Sequence, residues 1–301
     1  MSEIRKVPAS AGAQWLLGGC SLFFKAPAQL ALLAVSFGLV ITAAALLTLV
    51  NPALGSLIQL LTMLATPVLM GGLIWAVREV SQGRQARAEH LFEGFRHGRL
   101  PHLLVAVLPY FIASMVLGAM LYLLIGTDGL QRWQQVQAQI NEITAAGGTL
   151  DPAQVQAMAE SLPVFRFLLW IIITALTNVA ICLMLAFMLP QVMFSGIGGW
   201  AALINSLRTS LVNLPAMAVF YLMALVAMFI LYFATAIIML VVGGLITPQI
   251  GLLLALVFFM GTALPILAGA VYLGWQQMFA HADAPGTTPP PVPGPRNVFE
   301  A

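Results

Sequence analysis

The chain has 301 residues and a net charge of +2; 61% of its residues are hydrophobic, 7% are charged, and its mean hydropathy is +0.98. Three stretches, 26–77, 167–207 and 209–282, contain no Asp, Glu, Lys or Arg. Because a soluble domain needs a charged surface around its core, this composition excludes a water-soluble protein and indicates one embedded in a bilayer.

Six membrane-spanning helices are predicted from the apolar runs. About 20 apolar residues cross a bilayer as a helix, and continuous runs favour helices over the short alternating strands of a barrel. The first run breaks at Asn51-Pro52 and Gly55, and the last breaks at Gly243-Gly244 and Thr247-Pro248. The fold predicted is therefore an all-α polytopic membrane protein. The predicted spans are about 27–50, 56–77, 101–125, 166–190, 214–242 and 248–275.

A short amphipathic segment ending at a proline precedes spans one, three and five; the prolines are Pro27, Pro101 and Pro215. In each segment the apolar residues fall on one helical face, which is typical of a helix lying flat in the headgroup region. The pattern predicts three repeated units, each an interfacial amphipathic helix followed by a helical hairpin. The alternative is that Trp and Pro simply concentrate near membrane interfaces.

The predicted transmembrane domain covers residues 11–281, and three segments are predicted outside the spans. The first is a flexible N-terminus over residues 1–10. An external insertion over 126–165 is predicted to hold two helices and to cover the outer helix ends, with partner docking as the alternative. Residues 282–301 form a Pro-rich tail that is expected to be disordered and cytoplasmic.

Basic residues set the orientation, because Lys and Arg collect on the cytoplasmic side of a membrane. Six spans place only Arg132 and Arg166 on the external side. This bias predicts that both termini are cytoplasmic. The basic residues on the predicted cytoplasmic side are Arg5, Lys6, Lys25, Arg78, Arg84, Arg87, Arg96, Arg99, Arg208 and Arg296.

The inventory of chemical groups predicts no enzyme. No Asp, Glu, Lys or Arg lies deep in a predicted span, which argues against proton coupling and carboxylate catalysis inside the membrane. The phosphate-binding, zinc-protease and serine-hydrolase motifs are absent, so no catalytic residue, cofactor or metal ligand is predicted. Glu89, Glu93 and His97 support only weaker alternatives, a metal site or an enzyme acting on lipid headgroups.

Two sets of polar residues are candidates for binding. Gln59 and Asn178 are amides deep in the spans, where they would either line a polar path or, as we favour, hydrogen-bond between helices. The second set consists of arginines predicted to contact lipid headgroups. These are Arg78, Arg84, Arg87, Arg96, Arg99 and Arg208.

The N-terminal third carries several short motifs. The sequence VPASAGAQW runs from Val7 to Trp15, LFFKAP runs from Leu22 to Pro27, and HLFEGF runs from His90 to Phe95. With these G-x-x-W and L-F-x-x-x-P motifs the chain resembles a family of uncharacterised proteobacterial six-helix inner-membrane proteins. The resemblance implies the fold and a bacterial inner membrane, and it implies no activity.

Together these observations predict a non-enzymatic integral membrane protein that binds membrane lipids or other membrane proteins and does not bind nucleic acid. The alternative is a transporter or channel for a small uncharged or amphipathic solute.

Overall fold

The computed structural model describes residues 4–147 and 151–279, and every regular element in these residues is helical. Ala88–Phe95 and Val105–Val107 are 3₁₀ helices, and Gln191–Ser195 is a π-helix. The α-helices are α1 (Ala11–Lys25), α2 (Pro27–Val50), α3 (Pro52–Ser81), α4 (Leu100–Leu104), α5 (Leu108–Ala145), α6 (Pro152–Ser161), α7 (Val164–Leu185), α8 (Met188–Pro190), α9 (Gly199–Val212), α10 (Leu214–Leu245) and α11 (Pro248–Phe279).

Six helical stretches are long and apolar enough to cross a membrane, which confirms the predicted all-α, six-span architecture. Successive spanning helices contact each other, α2 with α3, α5 with α7, and α10 with α11. The threefold repeat of hairpins and interfacial helices stays a prediction. The stretches are Pro27–Thr48, Pro52–Ser81, Leu100–Ala145, Val164–Ser195, Leu214–Leu245 and Pro248–Phe279.

The helices extend beyond several predicted span boundaries. Gly55 does not break the second span, because α3 already begins at Pro52, where Asn51 Oδ1 accepts a hydrogen bond from Leu54 N at 3.1 Å. At its other end α3 continues past the apolar run to Ser81. A run without charged residues marks only the apolar part of a helix, so the polar turns at the helix end fall outside the predicted span.

The third span continues directly into the external insertion. Instead of ending near residue 125, α5 runs to Ala145, with a kink at Gly126, whose φ of 69° is left-handed. Glycine adopts this conformation without the steric cost of a Cβ, so the kink occurs there. The second predicted external helix, α6, begins after Asp151, whose N–H donates to Gln154 Oε1 at 3.2 Å.

The fourth span is broken rather than one helix over 166–190. Pro190 has no N–H, and its ring clashes with the carbonyl of residue 186 in a regular helix, so α7 ends at Leu185. α9 satisfies the freed backbone groups, since Phe187 N–H donates to Ser206 Oγ at 3.0 Å and Ser210 Oγ donates to Leu183 O at 2.9 Å. Irregular backbone is tolerated at membrane depth only with such protein partners.

The first helix is held by the last two. α1 lies against α10 and α11, and Gly19 approaches α11 so closely that a Cβ there would collide with the Ile266 carbonyl. The indole of Trp15 is buried, and its Nε1 donates to Gln277 Oε1 at 2.6 Å. Contacts between helices that are distant in sequence therefore close the bundle.

The described part of the N-terminus is anchored, which differs from the flexible segment expected over residues 1–10. Val7 is buried, and its N–H donates to Asn213 Oδ1 at 2.8 Å. Asn213 Nδ2 in turn donates to Arg5 O at 3.2 Å. The predicted disordered tail, 282–301, lies outside the described residues.

Candidate functional site

A cluster of arginine and aromatic side chains joins the end of α3 to three other parts of the chain. The guanidinium carbon of Arg78 lies 5.1 Å from the ring centre of Trp75 and 4.9 Å from that of Phe194. Arg99 lies over the same Trp75 ring at 5.0 Å. Both arginines therefore bind to the negative faces of aromatic rings. We call this the cation–aromatic cluster; its members are Trp75, Arg78, Arg99, Phe194, Tyr272 and Trp275.

The π-helix and α11 complete the cluster. Phe194, in the π-helix, lies 5.6 Å from Trp75, 5.8 Å from Tyr272 and 5.0 Å from Trp275, measured between ring centres. Single π-helical turns are frequent at functional sites because they turn side chains out of the regular helical register. Ser81 Oγ donates to Arg78 O at 2.6 Å and lies 3.3 Å from Tyr272 Oη, which brings α3 and α11 together.

The 3₁₀ helix 88–95 rests directly on α3 and brings Arg99 to the cluster. Gly72 of α3 faces its backbone, and a Cβ there would lie 2.6 Å from His90 O. Gly94 in turn lies against Val68, where a Cβ would be 2.6 Å from the carbonyl oxygen. The two glycines permit a backbone-to-backbone contact that no larger residue would allow.

Glu93 is the buried carboxylate of this region, with 8% of its surface exposed. Its Oε1 lies 2.8 Å from Arg96 Nη1, and its Oε2 lies 3.9 Å from Arg99 Nη1. A buried carboxylate needs such partners, and here two guanidinium groups share one negative charge. Residues 78–102 contain five arginines and three glutamates, so this segment keeps a net positive charge.

Two buried donors of the cluster, Arg99 Nη1 and Trp275 Nε1, make no hydrogen bond among the described residues. Arg99 Nη1 has an ion-pair partner in Glu93 Oε2, but at 3.9 Å this contact is too long for a hydrogen bond. Guanidinium and indole nitrogens can only donate. Because buried donors are nearly always paired, both nitrogens are candidate contacts for a ligand that supplies acceptor oxygens.

An apolar cavity of about 500 Å³ lies between α3, the start of α5 and the α7–α8 break. Its polar groups are the Thr66 hydroxyl, which donates to Thr62 O at 2.8 Å, and the Tyr110 hydroxyl. Such a cavity accepts a hydrocarbon chain or a similarly apolar group. Its walls consist of Met63, Thr66, Pro67, Met70, Ala106, Val107, Tyr110, Leu185 and Leu189.

The cavity and the cluster share α3, and some of their other residues lie close together along the chain. Along α3, Arg78 is eleven residues after Pro67, which places both on one helical face about 16 Å apart. Arg99 precedes the lining residue Ala106, and Phe194 follows the lining residue Leu189. This rise along α3 is comparable with half the thickness of a bilayer's hydrocarbon core, about 15 Å.

Two further cavities lie nearer the external insertion. One of about 520 Å³ lies between the outer part of α5 and α6, and is lined by polar groups such as Gln135, Gln139 and Glu142. The other, about 420 Å³ and apolar, lies near the Gly126 kink, where the ring centres of Trp133 and Phe167 are 5.3 Å apart. Neither lies beside the cation–aromatic cluster.

The predicted amide pair does not share a cavity. Gln59 and Asn178 are both exposed side chains, and neither lines the three cavities above. Asn178 Nδ2 donates to Thr174 O of its own helix at 2.8 Å. Their roles in a polar path or in an interhelical contact stay predictions.

The structure separates the six predicted headgroup arginines into two groups. Arg78 and Arg99 belong to the cluster, whereas Arg84, Arg87 and Arg96 pair with nearby glutamates and Arg208 is exposed on α9. Sequence reasoning missed Trp75, Phe194, Tyr272 and Trp275, which come from three distant segments. The one local signal was Trp75 three residues before Arg78, a spacing that places both on one helical face.

The glutamates that suggested a metal site or a headgroup enzyme, Glu89 and Glu93, are paired with arginines. Glu93 is bound by arginines, and Glu89 Oε1 lies 3.5 Å from Arg87 Nη1. In the described ranges no three His, Cys, Asp or Glu side chains come together as metal ligands.

The comparisons with known proteins found no match to this chain. No protein-family model matches the chain, and no curated protein or solved structure matches it either. The resemblance to proteobacterial inner-membrane proteins therefore stays a prediction, and the function has to be argued from the site.

Proposed function

We propose that this protein is a non-enzymatic integral membrane protein that binds a membrane lipid, with an acyl chain in the 500 Å³ cavity and the headgroup at the cation–aromatic cluster. The observation that carries the proposal is the position of the cavity along α3, where its lining residue Pro67 lies on the same helical face as Arg78 of the cluster and about 16 Å from it. A lipid has this arrangement of polar and apolar parts.

The proposal includes a location in a bacterial inner membrane with both termini cytoplasmic, so that the site would take lipid from the cytoplasmic leaflet. Its support is the excess of basic residues on one side of the six spans. Other membrane proteins stay candidate partners, for which the exposed apolar face of α10 offers a surface.

The transport alternative has weaker support. It requires a polar path near the middle of the membrane, and the amides that suggested one, Gln59 and Asn178, are exposed outside the cavities. The cavity near α3 is instead apolar, with Thr66 and Tyr110 supplying its hydroxyl groups. This lining suits retention of a hydrocarbon chain better than passage of a polar solute.

Filling the cavity tests the proposal. Val107 lines it, and in Val107→Trp the indole should occupy the space of the acyl chain. Val116→Trp is the matched control, because Val116 lies on α5, which begins directly after Val107, and has 58% of its surface exposed. Lipid that remains bound through detergent purification is identified and counted by native mass spectrometry.

We expect bound lipid in the wild type and in Val116→Trp, and at least tenfold less in Val107→Trp, since a blocked cavity removes more than about 1.4 kcal/mol of binding. Size-exclusion chromatography checks that both variants are folded. Equal lipid retention in the two variants, or a wild type free of lipid, would contradict the proposal.

A further inference from the structure

We infer that the bound lipid is an anionic phospholipid whose phosphate is held by Arg78, Arg99 and Trp275. This inference rests on the proposed function and adds the chemical class of the headgroup. It is carried by the charges, the buried donors and the occupied aromatic faces of the cation–aromatic cluster.

The charges around the site favour an anion. Glutamates of the neighbouring segments are already paired: Glu79 with Arg84, Glu89 with Arg87, and Glu93 with both Arg96 and Arg99. Among these side chains none is left to neutralise the ammonium of a zwitterionic headgroup. A headgroup with a net negative charge would instead balance the guanidinium groups of the cluster.

The aromatic rings do not form a free cage for a quaternary ammonium group, although such cages consist of similar residues. Arg78 lies over Trp75 and Phe194, and Arg99 lies over Trp75. A choline group would have to displace a guanidinium group or lie beside it, against like-charge repulsion. The occupied faces therefore disfavour phosphatidylcholine.

The hydrogen-bonding groups suit phosphate oxygens. Arg99 Nη1 and Trp275 Nε1 are buried donors that make no hydrogen bond in the described part of the chain. A phosphate carries only acceptors at its anionic oxygens and pairs with guanidinium in a fork of two bonds. The lining residue Pro67 lies about 16 Å from Arg78 along α3, so an acyl chain attached to this phosphate would extend along α3 towards the cavity.

A competition between two lipids tests this inference. The purified full chain is incubated with mixed vesicles of equal amounts of dioleoyl phosphatidylglycerol and dioleoyl phosphatidylcholine, re-extracted, and examined by native mass spectrometry. We expect phosphatidylglycerol to be retained in excess. Arg78→Gln and Arg99→Gln should each lower the ratio about fivefold, since an arginine near an anionic lipid contributes about 1 kcal/mol.

Arg208→Gln is the control for general surface charge, because Arg208 is an exposed arginine outside the cluster; it should keep the wild-type ratio. Arg99→Lys keeps the charge but not the fork, so an intermediate ratio is expected, and its folding is checked by size-exclusion chromatography. Wild-type retention of the two lipids in equal amounts would overturn the inference.

The outcomes distinguish the assignment of an anionic headgroup from the proposed function, which is lipid binding. If both lipids bind equally and Val107→Trp removes both, the protein binds lipid and the assigned headgroup is wrong. If the wild type retains neither lipid, the proposed function fails as well. An equal drop of the ratio in Arg208→Gln and Arg99→Gln would mean general charge attraction and would also overturn the assigned site.

Discussion

Replacing Gly72 with alanine tests whether the 3₁₀ helix 88–95 rests directly on α3, as the candidate site requires. The alanine Cβ would lie 2.6 Å from His90 O and 2.5 Å from the carbonyl carbon of Leu91. Both are backbone atoms, so no side-chain rotation can relieve the contact. The segment that carries Glu93 and Arg99 would have to move away from α3 by about 1 Å, the shortfall from ordinary van der Waals contact.

The expected cost follows from two opposing terms. Overpacking of this kind costs about 1–3 kcal/mol, whereas exchanging glycine for alanine within a helix gains about 0.5–1 kcal/mol. The net loss of unfolding free energy is therefore about 0–2.5 kcal/mol. At about 2–4 °C per kcal/mol for a large domain, the melting temperature should fall by up to about 10 °C.

Gly118→Ala supplies a control with the opposite sign. Gly118 also lies in a spanning helix, and a Cβ there would have nothing within 4 Å. Only the helical gain remains, so the melting temperature should rise by about 1–4 °C. Both variants are measured by thermal unfolding in one detergent. A rise in both would refute the close contact between α3 and the 3₁₀ helix.

The remaining predictions concern α1 and the N-terminus. In a Cys182→Ser background, Cys20 should react with iodoacetamide only at a higher pH than a free thiol does, because burial disfavours the thiolate and raises the pKa of Cys20; a pH profile like that of free cysteine would contradict this. Asn213→Ala removes the acceptor of the Val7 N–H, so hydrogen–deuterium exchange at Val7 should accelerate at least about fivefold, for a loss of about 1–3 kcal/mol. Asn205→Ala, the same change within α9, which ends just before Asn213, should leave that exchange rate unchanged.

The spanning helices were predictable because their signals are local. Pro27 and Pro248 mark helix starts that the structure reproduces, since proline suits a first helical turn. The break after Leu185 also had a local signal in Pro190, whose steric effect falls four residues upstream. The extension of α5 past Gly126 could not be predicted, because a positive φ can end a helix or merely kink it.

The candidate site was predictable only in part. Arg78 and Arg99 were expected to meet headgroups on account of their charge and their place before or after a span. That both lie over Trp75, beside Phe194 and Trp275, depends on tertiary packing between α3, the π-helix and α11. Spacing along the chain carries no information about such contacts.

The packing of α1 against the end of the chain sets an order of events during synthesis. Trp15 finds its hydrogen-bond partner Gln277 only 262 positions later. At about 5–20 residues per second, the first helix leaves the ribosome roughly 10–50 s before that partner exists. During this interval its apolar face has only lipid or a chaperone to cover it. Completion of the last span, rather than insertion of the first, is therefore the event that commits the bundle to its final form.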